Sequence, residues 1–210
     1  MRGYCNKFFF ENLAEEDLDQ ELLLKMPGAV CILFVVNYFQ LKGFFTSNEK
    51  VVEIHEKVRY WKSDKYGEAE NAAKIAKYIR KAGLDALYFL SVPKDDKNTP
   101  GEIEQSVWDR FINSFFKVLE KEAKKGLEVN NFTGVSSIIK ELARGRLVIA
   151  EVAVASRLAH YIVLVENCCG KSFKIIDPEK GLNLCLISEN ELMKKIDLGH
   201  GKNFISVGKI

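Results

Sequence analysis

The sequence predicts an α+β fold, and three observations carry that prediction. Apolar residues recur at helical spacing through most of the chain up to Gly145. From Arg146 onward the pattern changes to short runs rich in β-branched and aromatic residues. Turn signals such as "ENCCGKS" and "PEKG" separate those runs at close intervals. Helices first and an antiparallel sheet later describe an α+β layout with one face of the sheet covered.

Taken in order, "AEEDLDQELLLK" has acids early and Lys25 last, which suits the helix dipole. "PGAVCILFVVNYFQLKG" is apolar on every side, so it reads as a buried helix ending at Gly43. "SNEKVVEIHEKV" opens on Ser47, an N-cap candidate, and its polar side carries His55, which is expected in solvent. "GEAENAAKIAKYIRKAG" reads as one amphipathic helix closed by Gly83. A strand, "ALYFLSV", and a polar loop, "PKDDKNTPG", lead into a long helix from Glu102 to Gly126. That loop and helix, residues 92–127, are expected to be an insertion in a single domain spanning 1–210. "LEVNNF" is a strand and "TGVSSIIKELARG" a helix. The strands "LVIAEVAV", "HYIVLVE", "SFKIID", "LNLCLIS" and "FISVGKI" follow, with a short helix, "SENELMKKI", opening on a capping box of Ser188 and Glu191.

The bulk composition excludes several classes. Thirty-one basic against 29 acidic residues leave a net charge of +2, which gives no electrostatic footprint for a nucleic-acid partner. No apolar run approaches the roughly 18 residues of a membrane span, and "MRGYCNKFFFENLAEEDLD" makes a poor secretory signal. Five cysteines, at 5, 31, 168, 169 and 185, are an odd number without a CxxC pair. That usage fits a reduced, cytoplasmic setting better than a disulfide scaffold. No Walker loop, GxGxxG or HExxH is present, so no cofactor is expected. Cys168, Cys169, His55 and His200 lack the spacing of a zinc site.

His160 opens one strand and Asp177 closes the next. If "ENCCGKS" makes the two a hairpin, their open ends lie side by side, with paired Cβ atoms about 5 Å apart. A carboxylate at that distance fixes an imidazole tautomer and stabilises imidazolium, as the third member of a catalytic triad does. A strand cap and an Asp-Pro turn explain the same residues without chemistry.

The stretch "LARGRLVIAEVAVASRLAHYIVLVENCCGKSFKIIDPEKG" resembles the C-terminal half of papain-like peptidases of the double-glycine-leader, bacteriocin-processing group. Leu142, Gly145, Val148, Ile149, His160, Tyr161, Val163, Gly170, Asp177, Pro178 and Gly181 carry the likeness, which covers residues 134 to 210. The resemblance implies a papain-like fold, a Cys-His-Asp thiol hydrolase, and a peptide or protein substrate. In that family a Cys-Gly-Pro-Ala motif opens a buried helix, and the matching stretch here is "PGAVCILFVVNYF". Pro27 then stands at the family's cysteine position, and Cys31 at a second, structural one. Two readings of Cys31 follow: a nucleophile in a helix's first turn, lowered in pKa by the dipole, or a core cysteine behaving as a small hydrophobe. The resemblance further assigns His160 as base and acid, Asp177 as orienting carboxylate, and Gln20, seven residues before Pro27, as an oxyanion donor. The alternative is a non-catalytic pseudo-peptidase that keeps the cleft for a peptide or protein partner. Cys5 sits among aromatics near the N-terminus, Cys168 and Cys169 in an oxidisable turn, Cys185 mid-strand in the core, and "LGHGKN" around His200 could hold an anion.

Overall fold

A computed structural model describes residues 18–40, 47–63, 67–91, 104–154, 157–168, 171–197 and 202–210. In chain order the elements are α1 (Gln20–Lys25), α2 (Pro27–Gln40), α3 (Asn48–Val58), β1 (Arg59–Ser63), β2 (Gly67–Glu70), α4 (Ala72–Lys81), β3 (Asp85–Leu90), α5 (Gln105–Ala123), β4 (Val129–Asn131), α6 (Val135–Ala143), β5 (Leu147–Val154), β6 (Arg157–Cys168), β7 (Ser172–Ile176), β8 (Leu184–Ser188), α7 (Glu189–Asp197) and β9 (Asn203–Gly208). Seven strands form one sheet in the order β4-β3-β9-β5-β6-β7-β8, while β1 and β2 make a separate hairpin. Among the described residues, only the β3–β4 pair in the large sheet is parallel.

The helix starts follow local chemistry. Ser47 caps α3 by accepting from the Lys50 amide, and Asn71 caps α4 by accepting from Ala73 and Lys74. Ser188 Oγ accepts from the Glu191 amide at 3.2 Å at the head of α7, as its capping box requires. The loop of residues 93–101 and the His200 stretch up to Gly201 lie outside the described residues, as do Cys5 and Cys169. Among the described residues, no helix is long and apolar enough to cross a membrane.

Two expectations are corrected. "GEAE" is a strand, not the first turn of α4: Glu68 and Glu70 alternate with Ala69 along β2, and Asn71 starts the helix instead. The large sheet is also covered on both faces. Ile149, Tyr161, Val163, Ile205 and Val207 pack under α2–α5, while Val148, Ala150, Ile162, Leu164 and Phe204 pack with α6 and α7. The sequence carried that signal: "LVIAEVAV" and "YIVLV" are nearly continuous apolar runs, as strands buried on both sides are, rather than alternating ones.

Candidate functional site

His160 and Asp177 meet where the pairing of β6 with β7 ends: His160 lies inside β6, three residues past its start at Arg157 rather than at its opening, and Asp177 follows the last residue of β7. Val163 pairs with Ile176 across the two strands, which brings the carboxyl of the next residue to the imidazole three positions earlier. His160 Nε2 and Asp177 Oδ1 lie 2.7 Å apart, with both side chains at most 5% exposed. Asp177 Oδ1 also accepts from the Glu179 amide at 3.1 Å. Burial works against the Asp177 charge, but the His160 bond, the imidazole charge, the Glu179 amide and Lys180 together hold its pKa below the ordinary 3.8. His160 Nδ1 is buried and has no hydrogen-bond partner. One ring nitrogen is thus engaged by the Asp177 carboxylate, and among the described residues the other has no partner.

Cys31 is elsewhere in the arrangement. It lies in the second turn of α2, 1% exposed, and its thiol donates to the Tyr161 carbonyl at 3.5 Å. Burial, then the charges of Glu70 and Asp177, push its pKa well above the ordinary thiol value. A buried, protonated thiol is a poor nucleophile. Thiol and imidazole also leave their elements on different sides. His160 pairs with Val152 and has the parity of Ile162 and Leu164, on the α6–α7 face, whereas Cys31 belongs to the cluster under α2. No hydrogen bond joins them, since Nδ1 has no partner and Nε2 serves Asp177. Gln20 is exposed on the first turn of α1.

The start of α2 is occupied by the chain's own carboxylate. Glu70 accepts from the Gly28 amide at 2.6 Å and from the Ala29 amide at 2.9 Å, filling the anion-binding end of the helix. His55 holds Glu70 there. Its two ring nitrogens lie 3.0 Å from Glu70 Oε1 and 2.7 Å from Glu68 Oε2. The expected solvent position of His55 is thus wrong: the residue is 1% exposed. Burial opposes its charge, yet the two carboxylates raise its pKa above 6.5, and a ring donating from both nitrogens is imidazolium. The sequence hid this because Glu68 and Glu70 reach His55 only once β2 is a strand. Gly28 is part of the same fit, since a Cβ there would stand 2.6 Å from Glu70 Oε2.

A further buried group went unread. Glu151 on β5 accepts from Asn203 Nδ2 at 2.7 Å and lies 3.4 Å from the Tyr161 hydroxyl. Burial pushes its pKa up to about 7, against the pull of those two bonds. The available signal was a lone acid inside "LVIAEVAV". Of the remaining cysteines, Cys168 ends β6 and is half-buried, while Cys185 is half-buried and packs against the core cluster beside α6 and α7.

No protein-family model matches the chain, and no curated protein does. A crystal structure from Bacillus anthracis, described as that of a "putative C39-like peptidase", is similar over 89% of this chain and 90% of its own, with a TM-score of 0.52 at 9% identity. Mixed helices, a large mostly antiparallel sheet and that likeness agree: the fold is α+β, papain-like, of the C39-like peptidase kind.

Proposed function

We propose that this chain is a pseudo-peptidase, one that uses a papain-like fold to bind a peptide or protein partner and does not cleave through Cys31. The observation that carries this reading is the state of the thiol: buried in the second turn of α2, bonded to a backbone carbonyl and raised in pKa. Pro27 at the helix start has no nucleophilic group, and the amides beside it already serve Glu70. The description of the structural neighbour as a peptidase supports a peptide as the partner's chemical class.

One observation favours a second reading, a thiol hydrolase with Cys31 as nucleophile, His160 as base and acid, Asp177 as orienting group and Gln20 near the oxyanion. The imidazole–carboxylate pair is intact at 2.7 Å and keeps a nitrogen in reserve. Alkylation separates the two. Folded protein is treated with iodoacetamide at neutral pH, and the modified cysteines are mapped in the wild type and in His160→Ala. The pseudo-peptidase reading expects Cys31 to stay unmodified until the protein is denatured. Rapid labelling of Cys31 that disappears in His160→Ala would establish the hydrolase instead.

A further inference from the structure

A set of buried polar side chains that neither reading of Cys31 uses gathers under the first turn of α4. Glu151 and Asn203 are bonded at 2.7 Å, and their cross-strand partners, Tyr161 and Leu90, belong to the layer under α2–α5. The Tyr161 hydroxyl, beside Glu151, donates to the Glu70 carbonyl at 3.0 Å, one residue before Asn71. Tyr88 stands in the same layer on β3. α4 packs along β3 and is joined to it by a short turn at Gly83. Ten helical residues span about 15 Å and the six of the strand about 17 Å. Asn71, the N-cap of α4, therefore returns over the end of β3 that carries Tyr88. Burial, then the charge of Glu151, raise the Tyr88 pKa, so phenol and carboxyl lie within electrostatic reach of each other.

Asn71 Nδ2, the Tyr88 hydroxyl and Asn203 Oδ1 have no hydrogen-bond partner among the described residues, and the three residues are at most 1% exposed. Buried groups left this way are rare, because each forfeits its hydration. The Asn71 amide cannot turn over, since its Oδ1 accepts from the Ala73 and Lys74 amides. Turning the Asn203 amide only exchanges which of its two atoms is orphaned. We propose that Asn71, Tyr88 and Asn203 form a binding site for one internal water molecule beside Glu151. The water accepts from Asn71 Nδ2 and the Tyr88 hydroxyl and donates to Asn203 Oδ1, within the roughly two to four partners that an internal water takes. A metal ion does not suit the site, because Asn71 Nδ2 presents only protons, and an anion would face the Glu151 carboxyl. The water ties the cap of α4 to β3 and β9. It stands whether or not Cys31 reacts, so alkylation tests one proposal and hydration the other.

The test is oxygen-17 relaxation dispersion of the solvent, which counts long-lived internal waters and ignores exchanging protons. It is measured on the full chain and on Asn203→Leu, with circular dichroism verifying the fold. The variant should lose the amplitude of about one water. Tyr88→Phe gives a second reading, from the sign of its Tm shift. Removing a hydroxyl bonded to the water leaves that water short of a partner, so Tm should fall by about 2–4 °C. A buried hydroxyl that bonds nothing only carries its desolvation cost, so its removal would raise Tm. Equal dispersion amplitudes in the wild type and Asn203→Leu, or an unchanged or higher Tm in Tyr88→Phe, would each overturn the site. If Asn203→Leu does not fold, the Tyr88→Phe shift decides alone.

Discussion

At the scale of single residues, Glu151 couples the stability of the fold to pH. The Tyr161 phenol has one proton and two acceptors, the Glu70 carbonyl at 3.0 Å and Glu151 Oε2 at 3.4 Å. A protonated Glu151 resolves the conflict by donating to the phenol oxygen while the phenol donates to Glu70. Its pKa rises from the ordinary 4.5 to about 7 on folding, so the folded state holds this proton more tightly than the unfolded chain. The stability it contributes is complete below pH 4.5 and drains away as the pH rises through 7. A shift of that size is worth about 3 kcal/mol. His55 acts in the same direction, contributing below its ordinary 6.5 and losing that contribution as the pH passes its raised value. Glu151→Gln should therefore flatten, without abolishing, the fall in urea midpoint between pH 5 and 8, and should equal or exceed the wild type at pH 8. An unaltered slope would show that Glu151 ionises normally. The pair at 160 and 177 was legible because each is a lone titratable residue bordering an apolar run, although β6 itself starts three residues before His160. Glu151 was not, because burial from both faces is what makes it unusual, and one sequence does not say which strands are central.

At the scale of elements, the start of α2 sets what chemistry the fold supports. The helix was readable from its apolar run, and Pro27 is a natural first residue. The guard on that start was not readable, because Glu70 arrives from a strand, β2, whose residues read as the first turn of a helix. Gly28→Ala should cost about 1–3 kcal/mol, since the new Cβ meets Glu70 Oε2 and Ile75 Cδ1 within 2.8 Å and three bonds keep Glu70 from swinging aside. A thermal melt measures it. The same carboxylate bears on attempts to restore a nucleophile. A thiol introduced by Pro27→Cys gains the helix dipole but faces Glu70, so it should alkylate slowly. Adding Glu70→Gln should speed alkylation, since a neighbouring anion opposes thiolate formation. Equal rates in the two variants would remove Glu70 from this role.

At the scale of the whole molecule, Arg146 ties three strands and a helix together at one end of the sheet. It donates to Ser206 Oγ at 2.6 Å, to Asp85 Oδ2 at 2.7 Å and to the Ser206 carbonyl at 2.9 Å, while Ser206 Oγ donates to buried Glu141 on α6 at 2.7 Å. Arg146→Met should cost about 3 kcal/mol, because it leaves Glu141 short of its inward charge partner. The check is a urea curve beside that of Arg144→Met, whose mostly exposed partner to the same carboxylate should matter much less. The α+β class was legible from the sequence because helical and strand periodicities differ. The strand order was not, since nothing local tells the final strand to enter the middle. That placement fixes the timetable of assembly. With β9 hydrogen-bonded to β3 on one side and β5 on the other, a ribosome delivering residues in order supplies the keystone near the close of this stretch. Until then the two portions of the sheet wait unjoined, their greasy flanks open to any chaperone or wrong neighbour that arrives first.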